Sequence, residues 1–89
     1  MDKGKILIID DEEQLRSLLT RIVSLEGFTV HEVGSLQEGS RYLERDQVDV
    51  ILCDVKLPDG NGVDFVRTTR QKFPFTEIIL LTAFANVHD

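Results

Sequence analysis

The sequence predicts an α/β domain built around a parallel sheet, and three observations carry that prediction. Four short strand-like blocks, residues 6–9, 28–33, 48–53 and 77–81, are separated by helical patterns. Strict alternation of strand and helix calls for right-handed crossovers, so the strands should run parallel. Three of the blocks close on residues with chemistry to offer: Asp10-Asp11, Asp54 and Thr82. A parallel sheet presents all its carboxyl ends at one edge, where open α/β sheets bind ligands.

Each element has its own justification. Ile6-Leu7-Ile8-Ile9 is a short apolar run with the look of a strand buried on both faces, and it ends in Asp10-Asp11-Glu12-Glu13. Asp11 is placed to cap the next helix, with Gln14 three residues on. Leu15, Leu18, Leu19, Ile22 and Val23 then recur at the spacing of one apolar helix face, with Arg16, Ser17, Thr20 and Arg21 on the other side. Gly27 is the left-handed stop. Residues 28–33 alternate imperfectly and carry His31 and Glu32, which suits an edge strand; His31 has no metal-ligating neighbour at a useful spacing and reads as a solvated edge residue.

Ser35 with Glu38 forms a capping box that opens a helix over 36–45. Its inner face is Leu36, Gly39, Ser40 and Leu43, the two small residues allowing close packing on the sheet. Residues 48–53 form the next buried strand and deliver Asp54 into the turn Pro58-Asp59-Gly60. Val63, Phe65, Val66, Thr69 and Phe73 mark a weaker helical stripe, ended by Lys72-Phe73-Pro74. Residues 77–81 are the fourth strand, closing at Thr82-Ala83, and 84–89 resemble the start of another helix.

Composition narrows the function. Eighty-nine residues make one domain, 42% hydrophobic and therefore globular. A net charge of -6 argues against a nucleic-acid backbone face and suits a protein that displays carboxylates to a cation or a basic partner. The single cysteine, Cys53, lies inside an apolar run and reads as an inert core thiol in a reducing cytoplasm. The first apolar block is too short for a signal peptide, and no run approaches transmembrane length.

Asp10, Asp11 and Asp54 converge at the carboxyl edge. Asp54 alone could be no more than a turn-capping carboxylate; its convergence with the other two favours function. Three clustered carboxylates raise one another's pKa unless a cation sits among them, and Mg2+ suits hard oxygen donors. An ionised carboxylate beside Mg2+ is also a nucleophile toward phosphorus, and Thr82 could donate its hydroxyl to a phosphoryl oxygen.

Four blocks carry a resemblance: Ile6-Leu7-Ile8-Ile9-Asp10-Asp11-Glu12, Val50-Ile51-Leu52-Cys53-Asp54, Leu57-Pro58-Asp59-Gly60-Asn61-Gly62 and Ile79-Leu80-Leu81-Thr82-Ala83. Together they are similar to the receiver domain of two-component response regulators, with Leu80-Leu81-Thr82-Ala83-Phe84 resembling receivers of nitrogen-regulation activators. The resemblance implies a doubly wound, flavodoxin-like fold of strand order 2-1-3-4-5. It implies Asp54 as phosphoacceptor from a sensor histidine kinase. Mg2+ would be held by Asp10, Asp11, Asp54 and the Lys56 main-chain carbonyl, with Thr82 and Ala83 as the switch. The product would be an aspartyl phosphate, in a cytoplasmic signalling protein without enzymatic turnover of its own. Nucleic acid would be reached only through an output domain.

The family continues with a helix, a strand bearing a lysine, and a last helix; residues 1–89 read as a receiver lacking these. That leaves 77–81 as an apolar edge with both faces uncovered, so self-association as a dimer is expected. Two rivals stand beside this reading. One is a receiver-fold interaction module without phosphorylation, its acids serving as caps. The other is an aspartate-nucleophile phosphatase, which would need a second Asp two residues after Asp54, where this chain has Lys56.

Overall fold

A computed structural model describes residues 3–81. The chain runs β1 (Lys5–Ile9), α1 (Glu13–Leu25), β2 (Thr29–Val33), α2 (Leu36–Arg45), β3 (Val50–Asp54), β4 (Lys56–Leu57), β5 (Gly60–Asn61), α3 (Gly62–Lys72) and β6 (Glu77–Leu81). The main sheet is parallel throughout, in the order β2-β1-β3-β6. This is the order the resemblance implied, with β6 as its fourth strand. One feature was not anticipated: β4 and β5 form a small antiparallel pair, Lys56 opposite Asn61 and Leu57 opposite Gly60, directly after Asp54.

β1 is the centre of the fold because its side chains are apolar on both faces, and Leu7, Ile8 and Ile9 are fully buried. On one face α2 and α3 enclose Leu7, Ile9, Val33, Leu43, Ile51, Cys53 and Phe65 as a continuous core. Gly39 lets α2 lie close there: a Cβ on it would be 2.6 Å from Ile9 Cδ1. Ser40, by contrast, is exposed and takes no part in that packing, and Val63 of the α3 stripe is exposed as well.

Among the described residues the opposite face has α1 alone, lying over β1 and β2. β3 is consequently not buried on both sides as its sequence suggested: Leu52 is half-buried, and its register neighbour Ile79 on β6 is exposed. The expectation that both faces of β6 lack cover is also corrected, since Ile78 and Leu80 pack against the α2/α3 core.

The helix ends follow local chemistry. Ser35 Oγ accepts from the Glu38 amide at 3.2 Å, while Glu38 Oε1 reaches back to the Gly34 amide at 3.0 Å. Gly27 stops α1 with φ +102°. Asn61 caps α3, its Oδ1 accepting from the Val63 amide at 2.7 Å. The α1 cap departs from expectation. The N-cap position is Glu12, with no side-chain cap bond, and Asp11 caps nothing. The apolar stripe of α1 is only partly covered: its Leu19 and Val23 are half-buried, together with Arg16 and Thr20 from the side assigned to solvent, whereas its Leu15, Leu18 and Ile22 are exposed.

Candidate functional site

The end of β1 places Asp10 in the interior, 1% exposed. Its amide donates to Val33 O at 3.2 Å, which extends the β1–β2 ladder by one residue. Its Oδ1 accepts from the Glu12 amide at 2.9 Å, doing the turn-stabilising work expected of Asp11. Oδ2 is buried with no hydrogen-bond partner. An orphaned buried carboxylate oxygen is costly unless something else satisfies it.

Asp11 is exposed beside it, and Asp54, half-buried, arrives from the end of β3. One carboxylate oxygen from each of Asp10, Asp11 and Asp54 lies within 4.8 Å of the others. The three acids selected from the sequence are thus brought together. Burial, then the Asp10 charge, pushes the Asp54 carboxyl above the usual carboxylate range. Amides of Val55 and Lys56 pull the other way, and Asp11 adds a smaller upward push. A hard divalent cation would answer both features, offering Asp10 Oδ2 a partner and cancelling the repulsion. The residues present therefore fit Mg2+.

Lys56 stands at the start of β4, two residues from Asp54, with an exposed side chain. Thr82 and Ala83 lie outside the described residues. The register sets Leu81 beside Asp54, and Leu81 O accepts from the Val55 amide at 3.3 Å. Cys53 is inert as read: fully buried, its thiol donating to Asp54 O at 3.2 Å and pushed up to about 12, first by burial and then by the charges of Asp54 and Asp10.

Three supporting residues escaped sequence reasoning. Arg16, assigned to the solvent side of α1, donates Nη1 to Asp10 O at 2.7 Å and Nε to Glu32 at 2.9 Å, tying α1 and β2 to the end of β1. Gly62 donates its amide to Val55 O at 2.7 Å, and a Cβ there would collide with the Asp54 carbonyl. Asp59 accepts from two amides of α2. The Asn61-Gly62 pair ahead of a helical stripe is a cap signal available in sequence; the partners of Arg16 and Asp59 are not local and left no such signal.

Fold and site together define a class: a parallel α/β domain with three carboxylates from two adjacent central strands gathered at the carboxyl edge. The comparisons with known proteins then give the family. The chain belongs to the response regulator receiver domain family, whose model matches residues 6–89. It is 32% identical over 87 residues to response regulator protein PilR of Pseudomonas aeruginosa, covering 98% of this chain and 20% of PilR. It is 38% identical over 80 residues to transcriptional regulatory protein CpxR of Escherichia coli, covering 90% of this chain and 34% of CpxR.

Among solved structures it resembles response regulator TrrA of Thermotoga maritima in complex with Mg2+-BeF (TM-score 0.86, 27% identity, 94% of this chain and 73% of that one). It also resembles the beryllofluoride-activated NtrC4 receiver domain dimer (TM-score 0.81, 32% identity, 85% of this chain and 63% of that one). A likeness to nitrogen-regulation receivers is therefore present, as the sequence suggested. The chain spans about a fifth to a third of the length of these curated relatives. Among the described residues no helix is long and apolar enough to cross a membrane.

Proposed function

We propose that this chain is the phosphoacceptor receiver of a cytoplasmic two-component response regulator, taking a phosphoryl group on Asp54 from a phosphohistidine of a sensor kinase. The observation that carries the reading is the convergence of Asp10, Asp11 and Asp54 within 4.8 Å, with Asp10 Oδ2 buried and unpartnered. In the transfer an Asp54 oxygen attacks phosphorus, and the phosphorus–nitrogen bond breaks with its electron pair left on the imidazole. No general base is needed where Asp54 attacks as its carboxylate anion. Asp10, Asp11, Asp54 and the Lys56 carbonyl would hold Mg2+. When bound, that ion supplies positive charge against the incoming phosphoryl oxygens.

The chain's own residues do the positioning. β3 aims Asp54 at the edge, Arg16 fixes the end of β1, and Gly62 admits the α3 start against the Asp54 main chain. Thr82 and Ala83 follow β6 and would serve as the switch that senses the phosphoryl group. The cycle is one of signalling, without turnover of a free substrate, and its consequence is a change in an attached output domain that governs transcription. Lys56, at the position where an aspartate-nucleophile phosphatase carries its acid, supports this over hydrolysis. Self-association belongs to the same reading: exposed Leu18, Ile22 and Leu25 of α1 lie on the same side of the sheet as exposed Ile79.

The experiment is acetyl phosphate with Mg2+ on the parent and on Asp54→Asn, read by intact mass and peptide mapping. A phosphoryl adduct on the parent at Asp54, absent from the variant, is expected. Equal labelling of both would overturn the assignment. The interaction-module reading draws on the Asp10–Glu12 bond, which gives one acid a purely structural task; it predicts no adduct at all.

A further inference from the structure

The turn that follows Asp54 is fastened to a helix that carries none of the site's acids. Asp59 sits between β4 and β5. Its Oδ1 accepts from the Leu36 amide at 3.0 Å and its Oδ2 from the Gln37 amide at 2.9 Å. These are two of the donors a helix start leaves unpaired, and Ser35 Oγ already takes a third, from Glu38. A carboxylate at this end also meets the positive pole of the helix. The two amides, Gln37 first, hold the Asp59 carboxyl below the usual range.

The turn fits closely against α2. Gly60 has φ +154°, and a Cβ there would lie 2.9 Å from Leu36 Cδ1. Within the turn, Lys56 pairs with Asn61 and Leu57 with Gly60. At its far end the Gly62 amide closes back on Val55 O at 2.7 Å. The backbone from Val55 to Gly62 is thus a closed loop, and its outer tip is anchored by Asp59 alone among the side-chain bonds described for it.

We propose that Asp59 is a positioning residue for the metal site, anchoring the turn on the start of α2 so that the Lys56 main chain is held in place beside Asp54. The proposal rests on the reading above, in which the Lys56 carbonyl joins the three acids around Mg2+. Asp59 is not a ligand; both its oxygens are occupied by α2 amides. A consequence follows that a simple helix cap would not produce. Filling the metal site should be felt at the first residues of α2, because the same turn touches both.

The test is an amide NMR titration of the 89-residue chain with Mg2+, for the parent, Asp59→Ala and Asp59→Asn. In the parent, the Leu36 and Gln37 resonances should shift along the same saturation curve as Asp11 and Lys56. In Asp59→Ala the Mg2+ dissociation constant should rise roughly ten-fold, the usual effect of losing a group that orients a ligand, and Leu36 and Gln37 should cease to follow. Asp59→Asn, which keeps one acceptor oxygen, should fall between and decides the matter if the alanine variant does not fold. A variant that melts lower yet binds Mg2+ with parental affinity makes Asp59 a cap only and overturns the proposal. A parent whose cluster amides ignore Mg2+ overturns the metal reading itself, and the proposal with it.

Discussion

Replacing Asp54 by Asn should make the metal-free protein more stable at neutral pH. The substitution keeps the shape and one oxygen that can still accept from the Val55 and Lys56 amides, exchanges the other oxygen for an NH2 group, and removes the charge. Asp54 shares a 4.8 Å cluster with two other carboxylates. Two like charges at that separation repel by roughly 1 kcal/mol in water and about 3.5 kcal/mol at an effective dielectric near 20. Asp54 is half-buried and Asp11 exposed, so solvent screening discounts the pair energies heavily, leaving a net relief of about 1–3 kcal/mol. For a domain of this size that corresponds to a melting point raised by about 5–15 °C. The pH dependence has a definite sign. The folded Asp54 carboxyl is raised by burial and by Asp10, so the folded state binds the proton more tightly than the unfolded one. Parental stability is then fully present below the ordinary carboxylate value and is lost as pH rises through the raised value. Asp54→Asn lacks that loss. The assay is thermal unfolding by circular dichroism in chelator, at pH 7.5 and near pH 3.5, repeated at pH 7.5 with Mg2+. The gap between variant and parent should be wide at pH 7.5, narrow at acid pH, and reduced by Mg2+ because the ion stabilises the parent more. A variant that melts at or below the parent in chelator at pH 7.5 would refute the account of the cluster.

Gly62→Ala should destabilise the fold by about 2–3 kcal/mol or more, since its Cβ meets main chain rather than a yielding side chain; urea unfolding measures it, and a loss under 1 kcal/mol would show that the turn relaxes freely. Cys53 should resist thiol reagents in the native protein, being fully buried with its thiol pushed up to about 12, and should react only on unfolding; rapid native labelling would contradict the packing of β3. The 89-residue chain should associate at micromolar concentration, read by light scattering after size exclusion, and Ile22→Asp should shift it toward monomer. A monomeric parent would dispose of the α1 and Ile79 surface as a contact.

Most of the site could be read from residues in a row because its geometry is a property of strands. β1 and β3 each spend their length on apolar side chains and end in acid, and parallel pairing alone makes those ends neighbours. The register confirms it, with Ile9 beside Cys53 and each strand's next residue an aspartate. Local chemistry was equally visible where it acts within one turn, as at Ser35 with Glu38 and at Gly27. Asp59 and Arg16 were not legible, since the partners that give them meaning lie 22 and 23 residues away for the first, and on β2 for the second. A charged residue in a turn or on a helix is ordinarily solvated, and nothing in the sequence marked these two as exceptions.

α1 shows how far periodicity reaches. Its pattern placed Leu15, Leu18, Leu19, Ile22 and Val23 on one face, of which Leu19 and Val23 are half-buried while Leu15, Leu18 and Ile22 are exposed, so a shared face does not say how much of it is covered. Successive helical residues are about 100° apart, so Arg16 lies a little over a quarter turn from Leu15, on the side of the stripe where Leu19 and Val23 fall. Arg16 marks the side of α1 that meets the sheet. Its guanidinium donates to Asp10 O at the end of β1 and meets Glu32 on β2, and Leu19, Thr20 and Val23 on the same side are half-buried. The rest of the apolar row lies at the flank, where Leu18, Ile22 and Leu25 are half or more exposed. α1 is therefore tied at the carboxyl edge to the main chain of the residue whose carboxylate the proposed metal would use. A substitution such as Arg16→Ala, by removing that tie, should disturb Asp10 and the packing of α1 together, read as shifts of the Asp10, Glu12 and Glu32 amide resonances.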